Sequence, residues 1–171
     1  MSRTTIAIDN GVTGSIAIIG PDGVFFEPVP TMEQLMGKAG KVVRRIDHAD
    51  LRGLMGYWVG GLDGPTAGRG HAYIELPFSG SAMMINTTVL SARAHEAVSI
   101  VLEQLGIGYE TVDSKPWQAA MLGAIKGSPA LKKASMLRGM QMFPAHAKAI
   151  RDHGDADSLL MAQYYHNQQN A

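Results

Sequence analysis

Three short apolar runs occupy residues 4–27, and the turns between them are too short for anything but antiparallel pairing. Thr4-Thr5-Ile6-Ala7-Ile8 leads through a turn bearing Gly11 and Gly14 into Ser15-Ile16-Ala17-Ile18-Ile19. Pro21-Asp22-Gly23 then turns the chain into Val24-Phe25-Phe26-Glu27. β-Branched and aromatic runs bounded by Gly, Pro and Asp read as strands. Neighbours joined by so few residues must run antiparallel, because a parallel pair needs a crossover of a dozen residues or more. The chain therefore opens as a three-stranded meander.

Asp9 is the lone acid between the first two runs. Strand interiors disfavour Asp, and a carboxylate against an apolar sheet is costly unless a cation or hydrogen bonds compensate. Gly11 and Gly14 let the backbone turn sharply and approach a ligand closely. Two readings are open for Asp9: a carboxylate held at the edge of a core to meet a metal ion or phosphate, and an Asp that only caps a hairpin.

Further along, residues 28–46 read as an irregular basic loop. Asp47 is placed to cap a helix from His48 to Val59, with Leu51, Leu54, Met55 and Trp58 on one face. Residues 60–70 are Gly-rich. Ala72 to Leu76 reads as a fourth strand stopped by Pro77, and residues 81–105 contain a long helix ended by Gly106. Its Met83, Met84, Val89, Ala97 and Val101 suit a core face, with a subunit interface as the alternative. Tyr109 to Val112 is a fifth strand. Pro116-Trp117 opens a short helix, Leu131 to Phe143 forms another, stopped by Pro144, and Asp155 to Asn167 forms the last. With no repeat, low-complexity tract or linker, residues 1–171 read as one domain. The order is three antiparallel strands, then strands separated by helices and so parallel to one another. This matches an α/β ribonuclease H-like fold, a five-stranded mixed sheet flanked by helices.

Composition narrows the function classes. The chain has 171 residues, of which 46% are hydrophobic and 18% charged, as in an ordinary globular protein. It has no cysteine, which rules out disulfides and thiolate zinc sites. No apolar run approaches the roughly 20 residues of a membrane span. The N-terminus lacks a secretory pattern, so the expected location is the cytoplasm of a bacterial or phage-infected cell. The formal net charge is zero, but it is unevenly spread. Between Ser114 and Arg151 stand Lys115, Lys126, Lys132, Lys133, Arg138, Lys148 and Arg151 without an acid. Lys38, Lys41, Arg44 and Arg45 form a second basic group, and Asp152, Asp155 and Asp157 gather near the end. The alternative to a nucleic-acid surface is a set of solvated helix faces.

Glu75 repeats the oddity of Asp9, an acid within an apolar strand. Asp157 begins an apolar helix. His153 precedes it by four residues, so one helical turn would place the two on one side. Asp155 is either the cap of that helix or a ligand. Carboxylates from separate chain segments suit Mg²⁺ or Mn²⁺. Two such ions about 4 Å apart can stabilise both the attacking and the leaving oxygen in phosphodiester hydrolysis. A neutral His153 could accept or orient the proton of the water, and the basic stretch could hold phosphates.

These motifs together resemble the RuvC-like Holliday junction resolvases, especially their phage branch. Ile8-Asp9-Asn10-Gly11-Val12-Thr13-Gly14-Ser15-Ile16-Ala17 is similar to that family's opening motif, and Ile74-Glu75-Leu76-Pro77 to its second acidic motif. Val112-Asp113-Ser114-Lys115-Pro116-Trp117-Gln118, Met142-Phe143-Pro144 and Asp157-Ser158-Leu159-Leu160-Met161-Ala162 resemble its later ones. The resemblance spans nearly the whole chain. It implies Asp9, Glu75 and Asp157 as metal ligands, with His153 or Asp155 as a fourth active-site group. It also implies a homodimer that nicks four-way DNA junctions in pairs. Asn10 stands where the family has Pro, and Gly154 where many relatives have an acid. Lys133 is the first choice for a phosphate contact, followed by Lys132, with Lys115 and Arg138 on the same basic stretch. Competing readings are another ribonuclease H-like nuclease acting on hybrids, flaps or branched DNA, and a catalytically silent DNA-binding module. An actin-like or sugar-kinase ATPase fits less well, because the chain lacks a second Asp-x-Gly-x-x-Gly turn.

Overall fold

The computed structural model describes residues 4–36, 40–59, 70–77 and 85–170. β1 (Thr4–Ile8), β2 (Ser15–Gly20) and β3 (Gly23–Pro28) form the expected meander. Ile6 of β1 stands opposite Ile18 and Ile8 opposite Ile16. Residues 28–46 are not the irregular loop that the sequence suggests. After Pro30 they form an antiparallel hairpin of β4 (Thr31–Met36) and β5 (Lys41–Ile46), a separate two-stranded sheet. Asp47 caps α1 (His48–Val59) as read, its Oδ1 accepting from the backbone N–H groups of Ala49 and Asp50.

β6 (Gly70–Glu75) and β7 (Gly108–Val112) complete the main sheet, in the order β3-β2-β1-β6-β7. β6 runs parallel to β1 with Ile8 opposite Ile74. The next residues, Asp9 and Glu75, therefore leave the carboxyl ends of neighbouring strands side by side. That end of a parallel pair is where α/β sheets place their ligands.

Period-two alternation sends the side chains of each strand to two different cores. Ile6, Ile8, Ile16, Ile18 and Phe25 pack with α1 and with α2 (Ile85–Gln104), including Leu51, Met55, Val98 and Leu102. Of the residues named for its core face, Val101 is almost fully buried and Ala97 packs partly buried against the core, but Val89 is 50% exposed; Val98 and Leu102 complete the buried stripe. The start of the expected helix, with Met83 and Met84, lies outside the described residues.

The opposite face carries Ala7, Ala17, Ile19 and Phe26. Its two alanines let α6 (Asp157–Gln169) lie close on β1 and β2. Leu159, Leu160 and Met161 are fully buried there, each stabilising by about 1.5–3 kcal/mol. The hydroxyls of Ser15 and Ser158 meet at 2.8 Å within this layer. α3 (Ser114–Leu122) begins two residues before Pro116, because Asp113 caps it by accepting from the backbone N–H of Lys115. It buries Trp117 completely. α4 (Ser128–Met142) starts three residues earlier than the sequence suggests, with Pro129 in its first turn. A 3-10 turn (Pro144–His146) and α5 (Ala147–His153) follow, neither of which the sequence reading anticipated.

Candidate active site

Asp9 sits at the mouth of a closed turn. Its backbone N–H donates to the Ser15 carbonyl, and the Gly14 N–H donates to the Gly11 carbonyl. A Cβ built on Gly14 would lie 1.9 Å from the Asp9 carbonyl oxygen, so the turn that carries the acid admits only glycine.

His153 and Asp157 do not share a helical turn. His153 ends α5, Gly154 takes a left-handed conformation at φ 101°, and α6 starts only at Asp157. The break turns Asp155 inward. The cap position of α6 is Ala156, which makes no side-chain cap bond, while Asp155 Oδ1 lies 3.5 Å from the Asp157 backbone N–H at the helix start. One carboxylate oxygen from each of Asp9, Asp155 and Asp157 lies within 4.8 Å of the others. Glu75 adjoins this group closely enough that its charge is the largest charge effect on Asp9.

Electrostatics set the members apart. Burial, then the charges of Glu75, Asp157 and Asp155, pushes the Asp9 carboxyl well above the carboxylate range. Burial, then Asp157, Asp113 and Asp155, lifts Glu75 to about 7. Burial and Asp155 lift Asp157 to about 6, against the Ser135 hydroxyl, Lys132 and His153. Burial would also raise Asp155, but His153 and Lys132 outweigh it and hold that carboxyl below its ordinary value. The Lys132 ammonium lies 3.3 Å from Asp155 Oδ2, and His153 Nε2 lies 3.5 Å from Oδ1. The second distance is an ion-pair separation, too long for a well-formed hydrogen bond, and His153 Nε2 has no hydrogen-bond partner. Pairing with Asp155 raises the His153 pKa against burial, while the ring packs edge-on against Phe26.

Four acids gathered around one ammonium and one imidazole lack compensating charge. Glu75 Oε2 is buried with no hydrogen-bond partner. An orphaned carboxylate oxygen beside three clustered acids fits a hard divalent cation, which takes oxygen ligands and relieves the repulsion that lifts these pKa values. The residues present thus fit Mg²⁺ or Mn²⁺.

Sequence reasoning missed two supports on α4. Ser135 is fully buried; its hydroxyl accepts from the Ala156 backbone N–H at 3.1 Å and helps to lower the Asp157 pKa against burial. Gly139, one turn on, lets α4 approach the acidic segment: a Cβ there would lie 2.2 Å from that of Ala156. The spacing of two small residues one turn apart was the available signal. Of the basic residues singled out, Lys132 reaches the carboxylates, whereas Lys115, Lys133 and Arg138 are exposed on α3 and α4. A cleft of about 460 Å³ opens beside the site, bordered by Thr13, Phe26, Glu27, Arg44 and His153. No described helix is long and apolar enough to cross a membrane.

No family model matches the chain, and no curated protein matches it. Among solved structures it is similar to Thermus thermophilus RuvC, with 13% identity, 94% of this chain and 96% of that one covered, and a TM-score of 0.49. It is also similar to T. thermophilus RuvC in complex with Holliday junction substrate, with 14% identity, 94% and 90% coverage, and a TM-score of 0.53. In keeping with the latter match, the chain has the RuvC fold, a ribonuclease H-like mixed sheet of three antiparallel strands followed by parallel ones, flanked by helices.

Proposed function

We propose that this protein is a structure-selective endonuclease that resolves four-way DNA junctions by metal-dependent phosphodiester hydrolysis, acting as a homodimer of single-domain subunits that make paired nicks. The observation that carries the reading is the convergence of Asp9, Asp155 and Asp157 within 4.8 Å beside the unpartnered Oε2 of Glu75, at the strand ends of a RuvC fold. The solved relative bound to a Holliday junction substrate supports branched DNA as the substrate class.

In this reading Asp9, Glu75 and Asp157 bind Mg²⁺ or Mn²⁺, and Asp155 is the fourth carboxylate. Bound divalent ions supply an activated water and neutralise charge on the leaving oxygen. Lys132 balances Asp155 and keeps it ionised. His153, whose Nε2 faces Asp155 at 3.5 Å and makes no hydrogen bond, orients the attacking water and holds its proton. Lys115, Lys133 and Arg138 offer exposed cations to DNA phosphates.

The test is cleavage of a labelled four-way junction against linear duplex, flap and RNA–DNA hybrid, with Mg²⁺, Mn²⁺ or EDTA. Metal-dependent paired nicks near the junction centre, lost in Asp9→Asn while junction binding persists, are the expected result. Cutting of hybrid or flap with the junction untouched would overturn the substrate. Binding without any cutting would point to a silent DNA-binding module.

A further inference from the structure

A second cavity of about 90 Å³ takes Val12 of the Asp9 turn into its wall. Its scale suits one small oxyanion rather than a drug-sized ligand, whose pockets run roughly 300–1,000 Å³. Arg44, Arg45, His48 and Arg93 line it, and no Asp or Glu does so among the described residues. Arg45 Nε is buried there without a hydrogen-bond partner. Buried N–H donors are normally satisfied, and a guanidinium fork matches the oxygens of a phosphate. Arg44 is exposed and makes no ion pair among the described residues, although Glu33 stands opposite it across the hairpin.

The cavity shares walls with the cleft beside the candidate active site. Val12, three residues after Asp9, lines both this cavity and the larger cleft that His153 borders, and Arg44 also lines both. Asn10 Nδ2 approaches the Ser91 carbonyl of α2 at 3.5 Å, a long contact that brings the turn carrying Asp9 next to the helix carrying Arg93.

We propose that this pocket is a phosphate subsite, in which Arg44 and Arg45 on β5, with Arg93 on α2, hold a backbone phosphodiester of the nucleic-acid substrate away from the bond that is cut. The hairpin of β4 and β5 is then a strand-holding arm, and Arg44 and Arg45 are positioning residues. The assignment rests on the nuclease reading for its ligand.

The experiment compares wild type with Arg44→Gln and the double variant Arg44→Gln/Arg45→Gln. Junction affinity is measured in EDTA across a salt series, and inorganic phosphate is titrated while the Arg45 Nε–H resonance is followed. Arg44 is exposed, so the single variant keeps the test meaningful if the double variant folds poorly. The expected result is a slope of log affinity against log salt that is shallower by about 0.9, as when one phosphate is no longer neutralised by the protein. Affinity at low salt should fall on the order of tenfold, and phosphate should shift Arg45 in wild type only. Wild-type binding with an unchanged slope in both variants would overturn the subsite and leave the nuclease reading standing. A phosphate-induced shift of Arg45 with an unchanged slope would also overturn it, in favour of a free-anion pocket. Failure of wild type itself to bind nucleic acid would overturn both readings, and the wild-type salt series alone identifies that case.

Discussion

The Lys132 ammonium lies 3.3 Å from the Asp155 carboxylate, with 59% of the lysine side chain exposed but only 4% of the aspartate side chain. A half-solvated cation thus reaches down onto a buried anion that sits 4.8 Å or less from Asp9 and Asp157. Lys133, the next residue of α4, is exposed and makes no ion pair among the described residues. A helix turns by about 100° per residue, so adjacent lysines fall to different uses.

Lys132→Gln and Lys133→Gln should therefore differ in kind. Loss of Lys132 leaves Asp155 with His153 alone, raises its pKa and loosens the group that it helps to place. Removing a partner that orients a ligand typically costs about 10–100-fold in metal affinity or activity, and that loss is expected for Lys132→Gln. Lys133→Gln should weaken junction binding modestly and flatten its salt dependence without altering cation affinity. Isothermal titration with Mn²⁺ and a salt series on junction binding check both; equal cation affinity in the two variants would refute the distinction.

Stability of the cation-free protein should fall as pH rises through the weakly acidic range. Burial first, then neighbouring carboxylates, holds Asp157 near 6 and Glu75 near 7, above ordinary values of 3.8 and 4.5. Between ordinary and raised values the folded state binds protons that the unfolded chain has released, so stability declines as pH rises through this range, and the raised Asp9 acts in the same direction. The raised His153 acts in the same direction. Asp155 acts oppositely, but its lowered pKa confines its effect to more acidic pH. The contribution from these groups is on the order of a few kcal/mol. Melting curves with and without Mg²⁺ test this: the cation-induced rise in Tm should be larger at about pH 7.5 than at about pH 5. A pH-independent rise would contradict it.

Glu75→Gln separates repulsion from ligation. The amide is uncharged, so the variant removes a buried, repelling carboxylate whose Oε2 has no partner. The cation-free protein should gain about 1–2 kcal/mol at neutral pH and lose most of its stabilisation by Mg²⁺ along with cleavage. Urea titration at neutral pH with EDTA or Mg²⁺ measures both. A variant less stable than wild type in EDTA would mean that Glu75 is a structural acid.

The five strands of the main sheet were legible because β-branched and apolar residues concentrate there between clear turn signals, and the acids Asp9 and Glu75 stood out against those runs. The β4–β5 hairpin was not. Thr31-Met32-Glu33-Gln34-Leu35-Met36 holds helix-favouring residues without clean alternation, and the hairpin leaves Leu35 and Val42 largely exposed while Ile46 alone among its described apolar side chains is buried, so little in the sequence writes a period. Near the C-terminus the acids were legible but their arrangement was not. Counting four residues from His153 to Asp157 assumed one continuous helix, whereas Gly154 breaks it with a left-handed residue. That glycine was the signal, and it decides that Asp155 points inward.

Gly139→Ala tests how far the carboxylates depend on the helix behind them. The added methyl would meet Ala156 Cβ at 2.2 Å. Neither side can yield easily, because Ala156 is fully buried between Asp155 and Asp157. Helix propensity alone would favour alanine over glycine by about 1 kcal/mol, whereas overpacking a core costs typically 1–3 kcal/mol. At 2.2 Å the clash should win, giving a net loss of about 1–2 kcal/mol. The displacement also falls on two carboxylates at once, so cation affinity should drop further than the stability change implies. Ala156→Gly removes the atom that the new methyl strikes. The double variant Gly139→Ala/Ala156→Gly should thus be more stable than the two single variants together predict, with a favourable coupling of about 1 kcal/mol or more, and should recover part of the cation affinity. Chemical denaturation of the three variants and wild type, with Mn²⁺ titrations alongside, gives the cycle. Strict additivity would show that α4 and the acidic segment do not meet as closely as their backbones place them.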